Sequence, residues 1–141
     1  MSDAVVTIKT VQHMDGETFD TEFISQGSYE YSDAEKIIKY SEKSPETGLD
    51  ITNAVIRVHE DEVLLSRTGE SSSEMYFKVG EFSTTEYATL YGTFDMTLMS
   101  NKLDIKLDEN GGNVEIEYVL SMDKMSFIKN NLSLSVKVME G

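Results

Sequence analysis

Apolar and polar residues alternate along much of the chain with a period of two, and turn-forming residues bound each alternating run. That is the pattern of strands that bury one face against a core and wet the other. Near the C-terminus Leu132, Leu134, Val136 and Val138 interleave with Ser133, Ser135 and Lys137, and Val114, Ile116, Tyr118 and Leu120 interleave with Glu115 and Glu117. Leu103, Ile105 and Leu107 alternate with Asp104, Lys106 and Asp108 just upstream. Between them Glu109, Asn110, Gly111, Gly112 and Asn113 supply residues tolerant of positive φ, so this pair is expected to form an antiparallel hairpin.

The same logic reads the rest of the chain. Phe19, Thr21 and Phe23 share a face opposite Asp20 and Glu22, and Asp15 with Gly16 turns the chain back from a first strand around Val5 to Val11. Ala54, Ile56 and Val58 run through the acidic turn Glu60, Asp61, Glu62 into Val63, Leu64 and Leu65, and Met75, Phe77 and Val79 form a further alternating strand. The expected total is about eight to ten strands in one domain spanning residues 1–141, a meander closed into a barrel. Ser32 with Glu35 and Ser83 with Glu86 have the spacing of helix capping boxes, but Ile37, Ile38 and Tyr40 suit a strand as well as a helix, and a strand is expected there. After Tyr87 the phase breaks: Tyr91 is odd, Phe94, Met96 and Leu98 are even, and Leu103 is odd again. A bulge or bend near Gly92 and another near Ser100 would reconcile these positions.

Composition narrows the chemistry. With 141 residues, 39% of them hydrophobic and 27% charged, the chain matches one ordinary domain with enough apolar surface for a core. It has no cysteine, which removes disulfides, thiolate nucleophiles and cysteine-ligated metals. Twelve Lys and Arg against 26 Asp and Glu give a formal charge of −14, so nucleic acid and anionic membranes are not expected partners. The acids are scattered, as expected of a surface that keeps a small protein in solution. No basic leader precedes Ala4, Val5 and Val6, and no segment is long and apolar enough to span a bilayer, so a cytoplasmic location is expected.

Three short motifs go beyond periodicity. Arg67, Thr68, Gly69 is followed by Met75, Tyr76, Phe77, Lys78, Val79, Gly80, and then by Tyr87, Ala88, Thr89, Leu90, Tyr91, Gly92. Their order and spacing resemble the YwiB-like bacterial family, a domain of unknown function with motifs Arg-x-Gly, Met-x-Phe-x-x-Gly and Tyr-x-Thr-x-Tyr-Gly. The likeness runs from about Val5 to Val138. It implies an all-β antiparallel barrel of the lipocalin or calycin type with no established activity. The segment Lys43 to Gly48, which holds the only proline, Pro45, looks particular to this chain.

Candidate sites follow from strand phase. Arg67 is in phase with Val63 and Leu65, so its guanidinium is expected to point inward, where a charge must be paired. It is either an anchor for an anionic group at the barrel mouth or a structural arginine held by carboxylates or carbonyls, and buried charges more often belong to structural networks. Tyr87, Thr89 and Tyr91 share one face and would offer hydroxyls to the same region, although buried tyrosines commonly satisfy a backbone group instead. His13 and His59 have no ligand-pair spacing. Asp108, Glu109, Asn110 and Gly111 share composition with a calcium loop, but the glycine offset is wrong and Val119 stands where its bidentate glutamate belongs. Ser71, Ser72 and Ser73 lack a nucleophile-elbow pattern. Met75, Met96, Met99, Met122 and Met125 suit either an adaptable pocket or core gap filling.

These readings predict a non-enzymatic barrel, without metal or cofactor, that binds a small apolar or anionic ligand at one end through Arg67, Tyr87, Thr89 and Tyr91. The alternative is a protein-interaction or self-association module with a packed, ligand-free core and an uncovered strand edge available to another copy. Interior volume beside Arg67 discriminates between them.

Overall fold

A computed structural model describes residues 2–14, 16–43, 50–69, 72–89, 92–122 and 126–139. Ten strands run in chain order: β1 Ser2–Met14, β2 Glu17–Tyr31, β3 Lys36–Lys43, β4 Asp50–His59, β5 Glu62–Gly69, β6 Ser73–Phe77, β7 Phe82–Thr89, β8 Gly92–Asp108, β9 Gly111–Met122 and β10 Ser126–Val138. They form one antiparallel sheet in the order β6-β5-β4-β3-β2-β1-β10-β9-β8-β7, so every strand except the two at the ends lies between neighbours. β1 pairs with β10 from Ala4 opposite Val138 to His13 opposite Lys129, which puts the first and last strands side by side in the middle of the sheet.

The ends of the sheet meet and nearly close the barrel. Ser72 N donates to Ala88 O at 2.9 Å and Ala88 N to Ser72 O at 3.0 Å, while at the other end of the seam Gly80 N donates to Ser100 O at 3.2 Å. The two end strands of the sheet therefore face each other along the seam.

Alternation sets the core. Val6, Ile38, Val58, Phe77, Leu98 and Val114 are buried, one from each of six strands, and the polar residues between them face out. Glu22 on β2 and Lys9 on β1 form one such outer cross-strand pair. Tyr29 plugs the end of the barrel where β2 gives way to β3, donating its hydroxyl to Asp108 O at 2.8 Å.

Local chemistry explains the connections. At Ser32 the capping contacts form without a helix: Glu35 N donates to Ser32 Oγ at 3.0 Å, closing a turn into β3. Ser83 and Glu86 lie within β7. The β8–β9 hairpin uses Asp108 Oδ1 to accept from Asn110 N at 2.8 Å, and Gly111 and Gly112 take φ of 110° and 138°. A bulge falls where the phase break placed it: Ser100 opposes Tyr118 and Lys102 opposes Glu117, leaving Asn101 extra. The other break has a different cause. Thr89 pairs with Gly92, so the chain reverses there between two strands and no bend within one strand is needed.

Candidate functional site

The two halves of the barrel interior differ. Toward the Tyr29 end, side chains such as Ile8, Ile56, Val63, Phe77 and Leu134 close on one another and leave a void of only about 10 Å³. Toward the other end, where β1 finishes and β2 begins, the interior opens into a cavity of about 360 Å³. Strand phase explains the change. The inward positions of β1 pass from Ala4, Val6 and Ile8 to Thr10 and Gln12, and those of β5 from Val63 and Leu65 to Arg67. Leu65, Met75, Met96, Leu120, Ile128 and Leu132 give this cavity an apolar body. Thr10, Gln12, Thr21, Arg67 and Ser73 give it a small set of polar groups.

Arg67 stands where strand phase predicts, facing inward with its side chain 27% exposed. Its Nε donates to Glu42 Oε1 at 2.9 Å, and its Nη1 lies 4.0 Å from Met75 Sδ, a weak acceptor. Glu42 is reached two strands away because Ala54, which pairs with Tyr40 on one side and Arg67 on the other, carries only a methyl between them. Burial alone would lower the Arg67 pKa, but the facing Tyr40 hydroxyl and Glu42 carboxylate outweigh it and raise the pKa above the ordinary value, so the guanidinium stays charged.

The neighbouring hydroxyls are short of partners. Ser73 lies directly opposite Arg67 in the β5–β6 register, is buried, and its Oγ has no hydrogen-bond partner among the described residues. The Tyr40 Oη is likewise buried without a partner of good geometry. Burial raises its pKa, the Arg67 charge draws it down, and Glu42 adds to the rise. Tyr118, packed edge-on against Phe77 with ring centroids 5.0 Å apart, also lines the cavity, and burial pushes its hydroxyl up to about 12 against the pull of Arg67. Arg67 and Ser73 border an adjoining groove beside Ser72, Glu74, Glu86 and Ala88 as well, so this corner is reached from the seam too.

Of the other residues singled out from sequence, Tyr87 and Thr89 lie on β7 opposite Phe94 and Gly92, but their side chains fall outside the described residues, as does Tyr91 entirely. The Lys43 to Gly48 segment lies outside them beyond the backbone of Lys43, and so do Asp15, Ser71, Met125 and the side chain of Met122. Met75 and Met96 line the cavity, whereas Met99 lies half-buried on the other face of β8. His13 and His59 sit at opposite ends of the barrel, with His13 Nδ1 3.2 Å from Thr18 Oγ1. Among the described residues no three His, Asp or Glu side chains gather as metal ligands would, and no helix is long and apolar enough to cross a membrane.

Sequence reasoning missed Glu42, Tyr40, Ser73 and Tyr118 as members of this site. The signal for Glu42 was present, since it continues the inward series Ile38, Tyr40 in steps of two, but the adjacent Ile37 blurred which face was dry.

A ten-stranded antiparallel meander with one packed end and one open, arginine-bearing end defines the class of molecule: a small β-barrel with an interior cavity. The chain belongs to the family described as Domain of unknown function (DUF1934), whose match covers residues 6–134. It is 26% identical over 111 residues to the uncharacterized beta-barrel protein YwiB of Bacillus subtilis (strain 168), a match covering 79% of this chain and 76% of that protein. The crystal structure of the ywiB protein from Bacillus subtilis superposes with a TM-score of 0.87 at 21% identity, covering 99% of this chain and 93% of that one. At that identity the superposition speaks for the fold alone.

Proposed function

We propose that this barrel is a non-enzymatic, cytoplasmic carrier or sensor of a small molecule with an apolar body and a polar or anionic end, held in the cavity with that end on Arg67. The observation that carries the reading is the combination of about 360 Å³ of interior space with a guanidinium and a buried hydroxyl, Ser73 Oγ, that has no partner among the described residues, both on its wall. Binding sites are typically concave, mostly apolar and furnished with a few placed polar groups, and volumes of about 300 Å³ upward accept small ligands. The Arg67–Glu42 pair supports the structural reading of the arginine, but a purely structural pair gives no reason for the space beside it. The packed-core alternative is disfavoured by that space. The most exposed apolar side chains, Ile24, Phe82 and Phe127, are spread over β2, β7 and β10, which is ordinary for a protein surface.

Two measurements test the proposal. Native mass spectrometry of protein purified without denaturation should reveal a co-purifying small molecule in near one-to-one ratio. Fluorescence titration with the uncharged probe N-phenyl-1-naphthylamine should show saturable uptake, lost in Thr10→Phe, whose ring would fill the cavity. Absence of uptake by the folded wild-type protein would sink the binding reading.

A further inference from the structure

The donors and acceptors around Arg67 do not balance. A guanidinium carries five N–H donors, and among the described residues Arg67 gives one of them to a charged acceptor, Glu42 Oε1, turns another toward a thioether and faces the neutral Tyr40 hydroxyl. Among the described residues Ser73 Oγ, directly opposite Arg67 in the register, is buried without a partner, and Tyr40 Oη, beside the guanidinium, is buried without one of good geometry. The side chains around the guanidinium thus offer it one carboxylate, attached by a single contact, and otherwise only a neutral hydroxyl and a thioether. A corner of this kind is short of an acceptor with two oxygens.

Glu42 is free to leave. Its side chain is 33% exposed, it sits next to the last residue of β3 where the register with β4 slips, and the only hydrogen bond of its carboxylate among the described residues is the one to Arg67. A carboxylate so placed can turn to water without becoming a buried unpaired charge, the event that makes breaking an ion pair expensive. An incoming carboxylate could take the place of Glu42 on the guanidinium, enter from the cavity and gain a hydrogen bond from Ser73, which the register places opposite Arg67 and which lines the same cavity.

Charge selects among anions. Among the described residues that line the cavity Arg67 is the only charged one, so one negative charge is neutralised there and a second would stand unpaired in a low-dielectric pocket of a chain already at −14.

We propose that the Glu42 carboxylate is a built-in stand-in for the head group of the ligand, and that the cavity takes monoanions, carboxylates or sulfonates carrying an apolar body, by exchanging Glu42 for the ligand on Arg67. This rests on the binding reading above and goes beyond it in naming the ligand class and the group that competes with it.

The test compares two probes of nearly equal shape, the monoanion 8-anilinonaphthalene-1-sulfonate and the uncharged N-phenyl-1-naphthylamine, on wild type and three variants whose fold is checked by circular dichroism. Glu42→Gln removes the competitor and should tighten sulfonate binding by about five-fold or more, leaving the uncharged probe within about two-fold. Arg67→Met should weaken the sulfonate by about ten-fold or more and spare the uncharged probe, and Ser73→Ala, which changes little else, should weaken the sulfonate by about three-fold. Sulfonate affinity that is unchanged or weaker in folded Glu42→Gln, or unchanged in both Arg67→Met and Ser73→Ala, overturns the exchange while binding of the uncharged probe keeps the cavity reading intact. If neither probe binds wild type, both readings fall together.

Discussion

Arg67 Nε meets Glu42 Oε1 at 2.9 Å across the methyl of Ala54, so a pair joining β5 to β3 depends on the smallness of a residue on the strand between them. Both partners are partly wetted, so the pair is worth less than a buried one. Arg67→Met is expected to lower stability by only about 1–2 kcal/mol, because Glu42 can turn outward and the methionine refills part of the space. Ala54→Leu is expected to cost about 1–3 kcal/mol by overpacking and to break the pair as well. Thermal melts of the two variants check both values, and a loss near 5 kcal/mol for Arg67→Met would contradict the partly solvated character of the pair.

Phe77 is buried and meets Tyr118 edge to face, with ring planes at 66°. Phe77→Ala should destabilise by about 3–5 kcal/mol, since the solid half of the barrel has little freedom to collapse into the space left behind. Urea unfolding measures this. Uptake of the uncharged probe should weaken in the same variant, because Tyr118 also forms the cavity wall.

Gly112 holds a φ of 138°, and a Cβ there would run into the Lys106 carbonyl oxygen on the paired strand. Strain and clash add, so Gly112→Ala should cost about 3 kcal/mol or more. Gly16 offers a contrast, since its φ of 79° is also left-handed but a Cβ there meets nothing within 4 Å. Gly16→Ala should therefore lose only about 1 kcal/mol. Equal losses in the two melts would remove the steric part of this account.

Two tyrosines report on the barrel at high pH. Burial pushes Tyr118 up to about 12, and Tyr29 also reaches about 12 through burial, then the Asp108 charge, then Tyr31. A tyrosine whose pKa rises on folding contributes stability that is complete below its unfolded value of 10.0 and is lost as the pH climbs toward about 12. For Tyr118 the amount is on the order of 2–3 kcal/mol. Absorbance near 295 nm, followed with circular dichroism, should show part of the tyrosinate signal delayed above pH 11 and appearing together with unfolding. Full ionisation by pH 11 in a folded chain would refute the burial of both rings.

Period-two patterning carried the fold. Leu132, Leu134 and Val136 on β10 and Val114, Ile116 and Tyr118 on β9 all face the core, and even the loss of phase at Ser100 announced a bulge. The same patterning found Arg67, because a charge in step with Val63 and Leu65 has only one direction to point. It did not find what Arg67 meets. Glu42 lies 25 residues away in sequence and is brought near by the β3–β4–β5 register, which no local pattern contains. Thr10, Gln12 and Thr21 were equally hidden, since polar residues at the inner end of a strand look like its fraying tip. The conclusion that one end is hollow depends on the packed sizes of side chains from seven strands, a quantity that alternation does not encode.

The pairing of β1 with β10 bears on how the barrel assembles. Its rungs join residues more than a hundred positions apart, whereas among the described residues the seam beside the consecutive strands β6 and β7 shows one bridge, Ser72 to Ala88, and one contact from Val79 to Ser100 on β8. Ring closure must therefore wait for the most distant segments to find each other, which argues for slow folding and for a chain unable to complete itself while β10 is still being synthesised. A circular permutant that joins the start of β1 to the end of β10, which lie side by side, and opens the chain between β6 and β7 would make that remote pairing local, and it should refold faster than the parent.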